Sequence, residues 1–284
     1  MDVTEDIVKS LIEQQFGDMK NLPVRFLDSG ADNSNYLLGN KYLVRLPKDK
    51  DAAALINNEI KWLPYLQNKL NIDIPVPHRI GEPTDIFPWS WTITPWFSGD
   101  TADKSVVGNR EISVVTAFLK TLHSYAPEDA PINPYRGVAL TKKADDVQKR
   151  INRLKIRTDL ITDKITELWE TAINESVPEY KTLIHGDLHP KNIIAGNGEI
   201  KAIIDWGDIT TGDPANDIAI LWMLFNDKTA IDNALKHYGA SQSLINRSIG
   251  WAIFFGTLFL DTGLDTNPQD TNIGHQILIN LNKV

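Results

Sequence analysis

His185-Gly186-Asp187-Leu188-His189-Pro190-Lys191-Asn192, followed by Ile204-Asp205-Trp206-Gly207, is the stretch that decides how this chain is read. Asn192 lies five residues after Asp187, and Asp205 eighteen after it. Phosphoryl transfer from a nucleotide needs such a set. One Asp orients the acceptor hydroxyl, while an Asn and a second Asp hold Mg2+ against the phosphates. Between the motifs, the apolar Ile193-Ile194, the turn-forming Gly196-Asn197-Gly198 and the β-branched run Ile200 to Ile204 predict strand, turn, strand. That hairpin carries Asn192 at the start of one strand and Asp205 at the end of the next, so both are expected at one metal site. A single Asp or Asn in such a segment is an ordinary turn former, but the spaced set is not explained that way.

Composition narrows the classes. The 284 residues suffice for a large core in one or two domains. A net charge of −8 argues against nucleic acid as a partner, because a phosphate-binding footprint is basic. The same acidity suits a cationic acceptor and equally suits an ordinary cytoplasmic protein, the expected location. The absence of cysteine excludes disulfides, thiolate catalysis and a Cys-based zinc site. The acidic start lacks the order of a signal peptide. The apolar runs Ile218 to Phe225 and Trp251 to Phe255 are too short to span a bilayer, so no membrane partner is expected.

His185 to Asn192, Ile204 to Gly207 and Gly212-Asp213-Pro214-Ala215-Asn216-Asp217 resemble the aminoglycoside phosphotransferase superfamily, small-molecule kinases related to protein kinases. His189, where protein kinases usually have Lys, favours the small-molecule branch. The resemblance covers nearly the whole chain. It implies an α+β, two-lobed protein-kinase-like fold: a small antiparallel-sheet N-lobe over residues 1–97 and a larger, mostly helical C-lobe over 98–284. The C-lobe would include a helical subdomain at about 140–176 and 228–284.

The resemblance also assigns roles. After a helix at residues 4 to 16, strands are expected at Val24 to Asp28, Tyr36 to Leu38 and Tyr42 to Leu46. The loop Ser29 to Asn35, with Gly30 its only glycine, would cover the nucleotide phosphates. Arg45 stands where a protein kinase has Lys and takes the phosphate-gripping role, with Lys48 the alternative should the strand register differ. Glu59, in a helix ending near Pro64, would pair with Arg45. Two further strands, His78 to Gly81 and Trp91 to Thr94, lead to a hinge at Pro95-Trp96-Phe97-Ser98-Gly99, where backbone groups of Thr94 and Trp96 would meet the purine. Asp217 would brace the catalytic loop, and His185 would stabilise its backbone.

Other segments read more plainly. Val114 to Leu122 forms an apolar helix stripe, and His123 a core or capping residue. The irregular loop Ala130 to Val138 carries no expected chemistry. Val147, Ile151, Leu154, Ile161, Ile165, Leu168 and Ala172 make the seam of a helix or helical pair, a helical subdomain in preference to a dimerising coiled coil. A buried helix from Trp251 to Leu260 precedes polar turns at Asp261 to Asp270, where Asp261 and Asp265 could face a cationic acceptor.

The expected protein is thus an ATP- or GTP-dependent, Mg2+-requiring O-phosphotransferase, monomeric or dimeric. Its acceptor would be a small hydroxylated molecule, foremost an aminoglycoside-like or other antibiotic, otherwise a sugar, amino alcohol or other metabolite. A metal-dependent phosphatase would need more Asp/His clusters and no Arg45. A nucleotide-binding pseudokinase would not require Asp187, Asn192 and Asp205 together.

Overall fold

The computed structural model describes residues 3–124, 126–178 and 182–284. The chain divides into two compact units. The first comprises residues 1–69, 73–98 and 202–207; the second comprises 70–72, 99–201 and 208–284.

In the first unit, α1 (Glu5–Gln15) starts where Thr4 accepts a hydrogen bond from the Ile7 N–H. Strands β1 (Val24–Ser29), β2 (Asn33–Leu38) and β3 (Tyr42–Pro47) follow as antiparallel neighbours. With β4 (Arg79–Gly81) and β5 (Trp91–Pro95) they form a five-stranded antiparallel sheet, order β1-β2-β3-β5-β4. The apolar face of α1 (Val8, Leu11, Ile12) packs with Tyr36, Leu38, Val44, Trp91 and Ile93 into one core, as residues alternating along strands and recurring every turn of a helix must.

Between β3 and β4, α2 (Lys50–Leu66) begins five residues earlier than its apolar run suggests, because Asp49 caps it by accepting from the Ala52 N–H. It also runs through Pro64. A proline this close to the C-terminus removes one intrahelical bond with little helix left to disturb, and burial of Leu63 and Leu66 holds the last turn. The loop before β2 is likewise shorter than expected: Asn33, Ser34 and Asn35 lie within the strand, so only residues 30–32 connect it to β1.

The second unit is mostly helical. After β6 (Asp100–Thr101) come α3 (Glu111–Leu122), a one-turn 3-10 helix at Leu140–Lys143, α4 (Ala144–Lys155) and α5 (Asp163–Ile173). The expected seam is a helical pair with Val147, Ile151, Leu154, Ile165 and Ala172 buried, and Trp169 replaces Leu168 as its inward residue. Strands β7 (Leu183–Ile184), β8 (Ile193–Gly196), β9 (Glu199–Ile203) and β10 (Thr210–Thr211) make two small sheets, β6-β8-β9 and β10-β7. Short α6 (Ala215–Ile218) and α7 (Ile220–Leu224) precede α8 (Lys228–Tyr238), α9 (Gln242–Asp265) and α10 (Pro268–Leu281).

The expected polar turns at Asp261 to Asp270 are mostly helix, since α9 continues to Asp265 and only residues 266 and 267 separate it from α10. At 24 residues α9 is long and apolar enough to cross a membrane, yet 78% of its most apolar window is buried inside the protein. Its core lies against α10, with Gly256 and Gly274 at the contact.

Candidate active site

Two constellations carry the sequence-predicted residues, one in each unit. In the second unit, β7 delivers the chain to His185, which is fully buried. The Asp217 carboxylate, also fully buried, accepts from the backbone N–H of His185 at 2.6 Å and of Gly186 at 3.0 Å. His123 Nε2 lies 3.2 Å from the same carboxylate. Burial pushes the Asp217 carboxyl up, but the hydrogen bond and charge of His123 and the charge of His185 outweigh it, so its pKa is lowered. Asp217 therefore braces the loop as expected, and His123 both ends α3 and holds that brace. Arg247 from α9 grips the neighbouring Asp213 through Nε and Nη2, at 2.6 and 3.2 Å, which anchors the Asp213 to Asp217 segment.

Gly186 has φ +87°, and a Cβ there would lie 2.5 Å from the Asp208 carbonyl oxygen. Only glycine fits where the loop turns toward Asp187. The Asp187 N–H donates to His185 Nδ1 at 3.3 Å. Asn192 Nδ2 donates to the Asp187 carbonyl at 2.9 Å, which ties the two ends of the loop together and turns the Asn192 amide oxygen the other way.

The Asp187 carboxylate has two close side-chain neighbours: Arg136 Nη1 at 2.8 Å from Oδ1, and His189 Nε2 at 3.5 Å from Oδ2. Burial raises its pKa, but the hydrogen bond and charge of His189, then the charges of Arg136 and His185, win and bring it down to about 2. Arg136 in turn is held by Asp208, with Nε at 3.0 Å and Nη2 at 2.8 Å from Oδ2, while Asn133 Nδ2 donates to Asp208 Oδ1 at 2.7 Å. The loop Ala130 to Val138, expected to be without chemistry, thus places an arginine on the candidate catalytic carboxylate. Its sequence gives little warning: a lone Arg between Pro134 and Gly137 has no period and no motif spacing to Asp187.

In the first unit the expected ion pair is present. Arg45 Nη1 on β3 meets Glu59 Oε2 on α2, both buried. Glu59 uses its other oxygen, Oε1, to accept the Trp206 N–H at 2.9 Å. Arg45 Nη2 lies 3.5 Å from Asp205 Oδ1. Burial works against the Arg45 charge, but Glu59 and Asp205 outweigh it and raise its pKa, so the guanidinium stays charged.

Asp205 sits at φ +63°, a left-handed conformation uncommon for a residue other than glycine. Its side chain is 52% exposed despite the buried neighbours. The Trp206 indole anchors the turn by donating to the Ile203 carbonyl at 2.8 Å. Gly207 lets that turn approach α2, where a Cβ would lie 2.7 Å from Leu55 Cβ. Strain held in place by such surroundings is common where a side chain has a task.

The Lys48 Nζ bonds the carbonyl of Gly30, and its N–H bonds the Asp32 carbonyl at 2.9 Å, closing the loop of residues 30–32. At the hinge, the Trp96 N–H is committed to the Lys41 carbonyl at 2.8 Å, so it is not a free donor for a purine. Thr94 is buried, with its hydroxyl 3.5 Å from the Leu43 carbonyl. Asp261 and Asp265 are also engaged: Arg153 takes Asp261 with two nitrogens, and Arg157 lies 2.7 Å from Asp265. Both carboxylates are thus ion-paired within the chain, Asp265 while its side chain stays 57% exposed. Among the described residues no group of three or more His, Cys, Asp or Glu side chains could hold a metal ion.

Residues 23–251 match the family model described as "Phosphotransferase enzyme family". The chain is 26% identical over 188 residues to an aminoglycoside 3'-phosphotransferase of Escherichia coli, covering 61% of this chain and 66% of that protein. It is also 26% identical over 200 residues to the uncharacterized protein YcbJ of Bacillus subtilis (strain 168), covering 67% of this chain and 65% of that one. The matches thus span just under two thirds of these relatives' lengths. Among solved structures, the GDP complex of aminoglycoside 2'-phosphotransferase-IIIa superposes with a TM-score of 0.70 at 18% identity, covering 98% of this chain and 99% of that one. Macrolide 2'-phosphotransferase type I superposes at 0.60 and 18%, with 98% of each chain covered. These likenesses establish the fold, which is α+β and protein-kinase-like, with a small antiparallel sheet and a larger helical part.

Proposed function

The chain belongs to the phosphotransferase enzyme family, and from that premise we propose that it moves the γ-phosphate of ATP or GTP to a hydroxyl of a small molecule in a Mg2+-dependent reaction. The observation that carries the reading is the Asp187 loop: an ionised carboxylate held between Arg136 and His189 in a loop braced by Asp217. The names of the relatives make aminoglycosides and macrolides the first acceptors to try, with sugars and amino alcohols behind them.

Asp187, with a pKa of about 2, is ionised at neutral pH and too weak a base to take a hydroxyl proton before the reaction. It orients the acceptor hydroxyl as a hydrogen-bond acceptor and receives the proton as the oxygen becomes phosphorylated. Arg136 and His189 fix its orientation. Arg45, positioned by Glu59, holds the nucleotide phosphates, and the loop at Gly30 covers them. Purine contacts fall to backbone groups near Thr94, with the Trp96 N–H excluded.

Asn192 and Asp205 are the proposed Mg2+ ligands. The donor chemistry fits: both present oxygen, which this hard cation demands, and one or two protein ligands beside substrate phosphates are its usual complement. Bound there, the cation neutralises charge on the transferring phosphoryl group.

The test is turnover of purified protein with Mg-ATP or Mg-GTP across a library of hydroxylated compounds, read by nucleoside diphosphate release and product mass. Phosphorylated product from at least one acceptor is expected. Calorimetry on variants then checks the metal ligands. Asp205→Ala should lose Mg2+-dependent nucleotide binding, and Asn192→Ala should weaken it less, because a carboxylate offsets the cation's charge and a carboxamide contributes only a dipole. Undiminished affinity in both would remove the metal assignment.

A further inference from the structure

A cavity of about 390 Å³ lies in the second unit, with Pro190 of the Asp187 loop in its wall. Such a volume is in the range of small-molecule sites. Residues of the segment Ala102 to Val107 form another part of the wall. That segment is tied to the loop, since the Ala102 N–H donates to the carbonyls of Pro190 at 3.0 Å and Ile193 at 2.9 Å. Residues at the end of α7 and on α10 complete the lining, and none of them has a part in the phosphoryl-transfer site.

The lining combines buried apolar side chains, Val107, Met223 and Ile273, with amides and one carboxylate. Among the described residues Asp103 is the only charged one that lines the cavity, and no Lys, Arg or His does. Asp103 makes no ion pair among the described residues, and its Oδ1 is buried without a hydrogen-bond partner. A carboxylate that has lost water from one oxygen without gaining a donor profits from any donor that reaches the other. Asn226 and Asn272 are exposed and make no side-chain hydrogen bond among the described residues. Gln276 is set in place. Its Nε2 donates to Asn280 Oδ1 at 2.9 Å, and the buried Asn280 donates to the Phe225 carbonyl at 3.1 Å. The Gln276 amide oxygen is left to accept from a ligand.

We propose that this cavity binds a neutral polyhydroxylated molecule, a sugar or sugar alcohol, through Asp103, Asn226, Asn272 and Gln276. Hydroxyls both donate and accept, as amides do, while a carboxylate only accepts. The C–H face of a sugar ring suits the apolar side chains beside them. An anion would meet Asp103 and no cation. A polyamine would find a single carboxylate, and each further ammonium buried there would go unpaired. Binding at this cavity does not depend on phosphoryl transfer.

The test uses the methionines as reporters. The chain has three, Met1, Met19 and Met223, and only Met223 lines the cavity. The full chain, labelled at the methionine methyl groups, is titrated without nucleotide and followed by NMR, with Met223→Leu identifying the signal. The probes are the methyl pyranosides of glucose, galactose and mannose (neutral), glucuronate (anionic) and 2-deoxystreptamine (dicationic). At least one methyl pyranoside should shift the Met223 methyl saturably and leave that of Met19 in place, with both charged probes at least ~10-fold weaker. Asp103→Ala should weaken that sugar at least ~10-fold, and Asn226→Ala and Asn272→Ala about 3-fold each. Asp103→Asn should keep part of the sugar affinity and narrow the gap to glucuronate. No saturable shift with any methyl pyranoside, tighter binding of either charged probe at Met223, or unaltered sugar affinity in folded Asp103→Ala would overturn the inference. Should Asp103→Ala fail to fold, the two exposed asparagines decide in its place. Adding Mg-ATP or Mg-GTP to the bound sugar then tells its source: phosphorylated product makes it the acceptor, and binding without product makes it a second ligand, the site standing in either case.

Discussion

Two arginines, each set between two carboxylates, organise the two units in opposite ways. Arg45 joins Glu59 and Asp205 from regular elements, and its side chain is only 10% exposed, that of Glu59 1%. Arg136 joins Asp187 and Asp208 from an irregular loop, and all three side chains are about one-fifth exposed, at 23%, 20% and 22%. Burial decides what each pair can do. A desolvated pair cannot lose one member without stranding a charge, so it is a fixed part of the fold. A partly solvated pair can be loosened at modest cost, so the hold of Arg136 on Asp187 can yield to an incoming substrate hydroxyl.

The sharpest way to break this contrast is at the reacting carboxylate itself. Asp187→Asn keeps the size and most hydrogen bonds of the side chain but removes the proton acceptor. Phosphoryl transfer should fall by about 10³-fold or more, while nucleotide binding, measured by calorimetry, stays within a few-fold of the parent. Near-normal turnover would take Asp187 out of the mechanism and reduce its cluster to a structural ion network.

The buried pair should show its effect in stability. Glu59→Ala leaves Arg45 buried and the Trp206 N–H without its acceptor, and unfolding by urea should show a loss of about 3–5 kcal/mol. Arg45→Lys should be milder than Arg45→Ala, both in stability and in nucleotide KM, because lysine keeps the charge and loses the planar fork. The double variant Arg45→Ala with Glu59→Ala should be less damaging than the sum of the singles. Strict additivity would mean that the two residues act separately.

The contrast between the arginines also marks what the sequence makes legible. Arg45 and Glu59 are pointed to by the resemblance, and the apolar residues around them, Val44 and Leu46 on β3, Ile56 and Leu63 on α2, set the elements that carry them. Asp187, Asn192 and Asp205 stand out by their spacing, which is what makes them the proposed catalytic and metal-binding residues. Arg136 does not, because contact between a loop and a distant carboxylate leaves no periodic trace. The same holds for Asp261 and Asp265: their acidity is visible, but the arginines that neutralise it stand one hundred and eight residues earlier, on and just after α4. Element ends went astray where capping overrode the apolar pattern, as at Asp49, and where burial carried a helix past Pro64.

Acid should distinguish the solvated cluster through Asp187. Its folded pKa, about 2, lies below the ordinary 3.8, so the ionised carboxylate stabilises the fold above about pH 4. That contribution disappears as pH falls toward 2. It amounts to about 2 kcal/mol for a shift of this size. The difference in unfolding free energy between the parent and Asp187→Asn, followed from pH 6 to pH 2, should therefore shrink by about that much. A difference that stays level with pH would show that Asp187 ionises alike in the folded and unfolded chain.

The smallest effect separates the two side chains on that carboxylate, Arg136 and His189. Burial raises the Asp187 pKa, and His189 opposes it more strongly than Arg136 does. Arg136→Gln should therefore remove only part of the acid-dependent stabilisation, about 1 kcal/mol of it, while His189→Gln should remove more. Arg136→Gln also releases Asp208, whose remaining partner is Asn133, so the loop of residues 130–138 should gain amide hydrogen exchange while β7 keeps its protection. If Arg136 positions Asp187, kcat should fall several-fold with nucleotide KM unchanged, and Arg136→Lys should restore part of it. Loss of stability without a change in kcat would leave Arg136 a purely structural clasp. The analogy with Arg45 would then fail in a specific way, with the exposed arginine serving the fold and His189 alone setting the charge of the reacting carboxylate.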